Sequence, residues 1–324
     1  MCYGYDGDEA LRRSLETRSS ESGGVSRRTL LTGAVTGAAG LALVGAGAET
    51  ASAHPHGHHG YRRTRRVPPG RISIQLWTVR EGLSANYDAT LRTIAELGYP
   101  RIEQALGYFG RTAAQLRDFY DDIGVRASSS HDGISATEAE MHQKFENAVT
   151  LGQRFINVPY LNSTVRSDWE HWAEQMNKEA AVARRYGLAY GYHNHAHEFT
   201  TDLGGGVTPW DILTSELDRR YVHLQIDIYW VVTAGVNLGM SNRDAQRFAI
   251  ETIREAPLRV RQYHVKDRSA ADGDMADLGT GTIDFARIFR GHEVGEYIVE
   301  NDTPDVSPLT SAAVGHLYLD HLEF

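Results

Sequence analysis

The stretches Leu97-Gly98-Tyr99, Ile123-Gly124-Val125, Leu151-Gly152-Gln153 and Tyr186-Gly187-Leu188 share one grammar: an apolar helical pattern stops at a glycine and the chain passes at once into an apolar segment. A glycine just past a helix takes the left-handed conformation without steric penalty, so each stretch marks a helix-to-strand turn. Their spacings of 26, 28 and 35 residues each hold one strand and one helix. Helix starts agree with this reading. Thr137-x-x-Glu140 and Ser167-x-x-Glu170 have the form of capping boxes, and Thr208-Pro209 and Ser307-Pro308 that of an N-cap followed by proline. Between the helices, strands are predicted over 72–79, 101–106, 125–130, 155–160, 188–195, 222–230, 260–266 and 297–302. Eight strands alternating with helices imply a parallel sheet, and eight units in about 255 residues predict an α/β protein with a single-domain, closed (β/α)8 barrel, the TIM barrel architecture. The last predicted helix runs from Pro308 to about Leu322. No Gly-x-Gly-x-x-Gly turn follows the first strand, which weighs against an open dinucleotide-binding sheet.

The composition fits one globular domain with an extension. Of 324 residues, 41% are hydrophobic and 23% charged, with 32 Gly and 9 Pro, far from disordered or fibrous ranges. A net charge of −9 disfavours nucleic acid and anionic membrane as partners, because both are bound through clustered Lys and Arg. The single cysteine, Cys2, excludes an internal disulfide, a multi-cysteine zinc site and thiol redox chemistry.

Ahead of the barrel, Ser26-Arg27-Arg28-Thr29-Leu30-Leu31 opens an apolar Gly/Ala-rich run to about Gly47, followed by Ala51-Ser52-Ala53. This resembles a twin-arginine signal peptide over residues 1–53, which implies the Tat export machinery as a partner and a periplasmic or extracellular location. Polar interruptions make the run too weak for a stable membrane anchor. Cleavage after Ala53 removes five basic and six acidic residues and leaves 28 against 36, a charge of −8. Residues 54–70, with His54-Pro55-His56-Gly57-His58-His59 and four arginines, read as a flexible linker, and the barrel is expected over 71–324.

Catalytic groups of such barrels sit where strands end. Here those ends are polar: His193-Asn194-His195-Ala196-His197-Glu198, Asp227 ahead of Tyr229-Trp230, His264-Val265-Lys266-Asp267 and Glu300-Asn301-Asp302. Period-two alternation turns His193 and His195 to one side, and neighbouring strands lie about 4.8 Å apart, so His193, Asp227, His264 and Glu300 are placed to converge on one divalent cation. Mixed nitrogen and oxygen donors suit Mn²⁺, with Co²⁺, Zn²⁺ or Mg²⁺ as alternatives. The competing expectation is a buried salt-bridge network, costly without a cation or matched partners.

The same stretches, with Gln75-Leu76-Trp77-Thr78-Val79-Arg80, Tyr192-His193-Asn194-His195, Asp227-Ile228-Tyr229-Trp230 and Gly279-Thr280-Gly281-Thr282-Ile283-Asp284, resemble the xylose isomerase-like family of TIM barrels, often labelled sugar phosphate isomerases/epimerases. Ketose 3-epimerases, inosose dehydratase and dehydroshikimate dehydratase are also members. The resemblance runs from about Ile72 to the C-terminus. It implies a metal held by Asp227, His264 and Glu300, together with a strand-five residue that is usually Glu and here aligns with His193. By likeness to the dehydratase branch, His193 is the ligand and His195 the acid/base; Glu198 at the strand's exit is the other candidate ligand.

A cation that holds a carbonyl and its neighbouring hydroxyl stabilises the charge left when the proton between them is removed, the shared step of isomerisation, epimerisation and β-elimination. His195 suits the proton carrier, since imidazole titrates near pH 6.5. Glu300 is a candidate opposing base, and Lys266 either stabilises an oxyanion or pairs with an acid. Gln75, Trp77, Glu103, His131, Glu198 and Trp230 are expected to line a carbohydrate pocket. Gly279–Asp284 reads as a tight turn with Asp284 capping the next helix, not a phosphate cradle, since no Lys or Arg accompanies the glycines. The expected activity is a metal-dependent isomerase or epimerase of a free or oxidised sugar. A lyase or dehydratase of a keto-sugar or 3-keto-glycoside is the alternative, and an exported carbohydrate-binding protein the non-enzymatic one.

Overall fold

The computed structural model describes residues 64–324. Its barrel strands are β1 (Ile72–Gln75), β2 (Arg101–Gln104), β3 (Arg126–His131), β4 (Phe155–Val158), β5 (Ala189–His193), β6 (Val222–Asp227), β7 (Arg259–Val265) and β10 (Glu296–Val299). Two short strands, β8 (Asp267–Arg268) and β9 (Met275–Ala276), form an antiparallel hairpin beyond β7. All eight barrel pairings are parallel, and β1 closes against β10 with Ile72 opposite Tyr297. The predicted α/β fold class, a closed eight-stranded TIM barrel, is therefore the observed one.

Each strand is followed on the outside by helix: α1 (Arg80–Glu96), α2 (Ala113–Asp122), α3 (Glu138–Leu151), α4 (Arg166–Ala183), α5 (His197–Thr200), α6 (Pro209–Glu216), α7 (Ile228–Asn237), α8 (Asn242–Glu255), α9 (Phe285–Gly291) and α10 (Pro308–His321). The turn glycines Gly98, Gly124, Gly152 and Gly187 all have φ between 72° and 96°, the left-handed region. Thr137, Thr208 and Ser307 cap their helices as their spacing predicts. Ser167 does not: α4 begins two residues earlier than a Ser167 cap would start it, after Val165, and Ser163 supplies the turn by accepting from the Val165 N–H and bonding Asp168.

Strands are shorter than predicted wherever a polar side chain takes over backbone donors. Leu76–Val79 is a 3-10 turn in which Gln75 accepts from the Trp77 N–H. At the end of β6, Asp227 accepts from the Trp230 N–H and starts α7, so 228–230 are helical. The linker expected over 54–70 also ends early. Arg65 pairs with Phe324 through both backbone bonds, Arg66 ion-pairs with Glu323, and Val67 is buried in the core. The twin-arginine leader and the histidine tract lie outside the described residues. Among those described, no helix is long and apolar enough to cross a membrane.

Alternation divides the strands between two environments. Ile72, Ile74, Ile102, Leu224, Ile226, Tyr263 and Val265 belong to the apolar core, while the opposite phase holds Ser73, Gln75, Glu103, Ser129, Asn157, Gln225 and Gln262, all fully buried. The bore is thus polar where such barrels ordinarily stack branched aliphatic side chains. It is held by hydrogen bonds: Asn157 Nδ2 donates to Gln262 Oε1 at 3.0 Å, and Gln262 Nε2 to Glu296 Oε2 at 3.0 Å. A methyl group added at Gly187 would meet nothing within 4 Å. Gly187→Ala is therefore expected to lose about 1–2 kcal/mol in urea unfolding, purely from the left-handed backbone. A loss below a few tenths would show that the turn relaxes.

Candidate metal centre and active site

The inward phases of β6 and β7 bring Gln225, Asp227, Gln262 and His264 to the upper bore, with Lys266 just past β7 and Glu300 just past β10. Asp227 Oδ1 is committed to the α7 N-terminus. Its Oδ2 is buried and has no hydrogen bond. Lys266 Nζ stands 3.1 Å from that oxygen without hydrogen-bond geometry, and His193 Nε2 stands 3.8 Å away. Glu300 Oε2 lies 2.5 Å from His264 Nδ1 and 2.8 Å from Lys266 Nζ. One ligand atom each from Asp227, His264 and Glu300 falls within 4.8 Å of the others.

His193 is adjacent to this trio but groups with His131 and His264. Its ring lies 4.4 Å from that of His264, and its Nδ1 is 3.1 Å from Gln225 Oε1. Three of the four expected ligands therefore converge, with the fourth beside them. Glu198 is turned away. Its oxygens accept from the Tyr192 hydroxyl at 2.6 Å and the His195 N–H at 2.8 Å, so it fixes the loop after β5. His195 is buried beyond β5, 5.0 Å ring to ring from His193 and 5.4 Å from Trp230, and its Nδ1 has no partner. Trp230 Nε1 is likewise unpartnered. Both atoms are buried and unbonded.

Glu103 and Gln75, expected to line a carbohydrate pocket, are fully buried and bonded to each other. Glu103 is fully buried and accepts from His264 Nε2 at 2.6 Å, Gln75 Nε2 at 2.8 Å, Ser129 Oγ at 2.5 Å and Gln225 Nε2 at 2.7 Å. His131 stacks on His264 at 5.0 Å and sits 3.1 Å from the same carboxylate. Trp77 is half-buried, with the Arg80 guanidinium 4.8 Å over its ring.

The electrostatics follow from burial against pairing. Burial raises Glu103, but the charges of His131 and His264 and the Ser129 bond outweigh it and bring the carboxyl down to about 2. Burial lowers His264, yet Glu103 and Glu300 on either side push it up to about 10. Lys266 is driven down by burial and more strongly up by Asp227, Asp302 and Glu300. Asp302, 3.4 Å from Lys266, is pushed up to about 7 by its burial. His193 and His195 are lowered well below the ordinary imidazole value, first by burial and then by neighbouring cations, so both are neutral near pH 7. The buried ionic network read as the competing expectation is thus present in the same residues. Its carboxyls, Glu103, Asp227, Glu300 and Asp302, are in surplus over Lys266 and His264, and burial raises Asp227 and Asp302. Together with the unbonded Asp227 Oδ2, that surplus fits the donor set to a divalent cation.

Asp302 and Gln225 had no role assigned from sequence. Gln225 lies on the inward phase two residues before Asp227, a position that strand alternation exposes. Gly279–Ile283 is a turn and not a phosphate cradle: the N–H groups of Gly279, Gly281 and Ile283 all donate to Asp267, and Asp284 caps α9. A carboxylate that holds a ligand histidine's outer nitrogen fixes its tautomer and orientation. Glu103→Gln is expected to weaken metal affinity about 10–100-fold in titration of the metal-free protein, with the fold retained by circular dichroism. Unchanged affinity would remove Glu103 from that role.

Comparison with known proteins matches residues 91–291 to the family described as xylose isomerase-like TIM barrel. Inosose dehydratase from Salmonella agona is 26% identical over 171 residues, 48% of this chain and 54% of the relative. The chain thus spans about half the length of the curated relative it matches. Among solved structures, a sugar phosphate isomerase/epimerase from Parabacteroides distasonis is similar with a TM-score of 0.62 at 21% identity, covering 78% of this chain and 94% of that one. An IOLI protein with a bound zinc atom is similar with a TM-score of 0.58 at 14% identity, covering 76% and 96%. With its family match spanning most of the barrel and its fold shared with these structures, this chain belongs to the xylose isomerase-like TIM barrel family.

Proposed function

We propose that this protein is a divalent-metal-dependent enzyme that moves a proton on the carbon beside a sugar carbonyl, as an isomerase or epimerase of a free or oxidised sugar. The observation that carries the reading is the convergence of Asp227, His264 and Glu300 beside a buried, neutral His195 whose Nδ1 has no partner. Asp227, His264 and Glu300 would hold the cation, with His193 beside them, and the mixed donors favour Mn²⁺. When bound, such an ion supplies Lewis acidity toward a carbonyl and its adjacent hydroxyl.

The chain's own groups do the rest. His195 takes the carbon-bound proton, since burial keeps its imidazole unprotonated. We assign Glu300 to binding instead of proton transfer, because its Oε2 already faces His264 and Lys266. Lys266 balances Asp227, Glu300 and Asp302. Trp230 offers an apolar face next to His195, suited to the C–H side of a sugar ring. A second reading, elimination of water from a keto-sugar, is favoured by the similarity to inosose dehydratase and by the His193-x-His195 pattern.

NMR in D₂O across ketoses and 3-keto-glycosides tests this. Metal-dependent deuterium incorporation beside the carbonyl with an epimerised product is expected, and His195→Ala should slow it about 10²–10⁴-fold without loss of metal. An eliminated product would select the dehydratase reading. Sugar binding unchanged in Asp227→Asn and His195→Ala, with no exchange in any protein, would leave a carbohydrate-binding protein.

We further propose export by the leader over residues 1–53. A domain exported folded would take its metal inside the cell, where Zn²⁺ and Cu²⁺, favoured by intrinsic affinity, are kept scarce. Manganese in the exported protein is expected; full zinc or copper occupancy would overturn this.

A further inference from the structure

At the end of the barrel opposite the candidate metal centre, the strand starts line an open concavity of about 380 Å³. Its walls include Arg154 and Phe155 at the start of β4, Arg259 and Arg261 at the start of β7, and His292 and Glu293 ahead of β10. Phe155 is buried and forms a floor. The Arg154 guanidinium lies 5.5 Å from its ring centre and that of Arg261 5.6 Å. Both cations thus lie within cation–π range of one ring.

None of these three arginines has a carboxylate partner among the described residues. Glu293, the acid on the wall, is taken by Arg71 at 2.5 Å. Burial and the charges of Arg154 and Arg259 both lower the pKa of Arg261, so the like charges oppose one another. Three arginines against one acid that Arg71 already pairs leave the concavity with an excess of positive charge, which attracts counter-ions. Guanidinium forks match the paired oxygens of carboxylates and phosphates.

We propose that this cavity is a binding site for a small, multiply charged oxyanion, separate from the metal centre. Its volume admits a molecule of the size of citrate or a sugar phosphate. An extended polyanion is opposed by the net charge of −9 and by Glu293 at the wall. The site lies where family members of this architecture place stability and not chemistry, so occupancy would act on the protein without entering the reaction.

Isothermal titration with inorganic phosphate and with citrate tests the site. Saturable binding of one anion per chain, weakened by added salt, is expected for at least one probe. Arg259→Ser/Arg261→Ser should lower its affinity at least tenfold, while metal binding and sugar proton exchange stay as in the parent. Preference for citrate or phosphate identifies the anion class. Absence of saturable binding by both probes, or undiminished binding in the double variant, would overturn the proposal. Should the double variant fail to fold, Arg154→Ser, at an exposed position, gives the same readout.

Discussion

One buried carboxylate organises the interior. Glu103 accepts hydrogen bonds from side chains on β1, β3, β6 and β7, and so ties both halves of the closed sheet at a single point on its axis. Its charge sits in a fully buried bore and is affordable only because every approaching group is a donor. His264 is consequently held between two carboxylates, and the ring's direction, on which the cluster with Asp227 and Glu300 depends, is set from across the barrel. A polar bore is the condition for this arrangement, since aliphatic layers would leave Glu103 stranded.

Much of the architecture was written in local signals. The four turn glycines and the Thr137, Thr208 and Ser307 caps act within a few residues, and each behaves in the structure as its chemistry requires. Differences arose where a side chain captured a nearby N–H group or where the partner stood far along the chain. Gln75 and Asp227 divert strand ends into helical turns by capturing N–H groups, which alternation cannot register. Ser167 has the capping spacing, but Ser163 does the work from the preceding loop. Arg65 to Val67 looked like linker because their partners, Glu323 and Phe324, stand at the far end of the chain.

The site divides in the same way. His193, Asp227, His264 and Glu300 were legible because ligand-type residues at strand ends are conspicuous in a barrel. Which of them meet was set by geometry around the axis, and that placed His193 with His131 as well as near the acidic trio. Glu103 and Glu198 carried the right chemistry for ligands or sugar contacts, but their oxygens are spent on neighbours. The role of Lys266 was readable as a choice between two uses, and the structure places three carboxylates around it.

Asp267 follows directly on Lys266 and gathers the N–H groups of Gly279, Gly281 and Ile283, while Gly273 in the adjoining hairpin accepts from the Tyr229 hydroxyl. This wall of the mouth is therefore folded around an internal anion instead of awaiting one from solution. The three N–H groups of this turn are thus already spent on a carboxylate of the chain before any solute arrives.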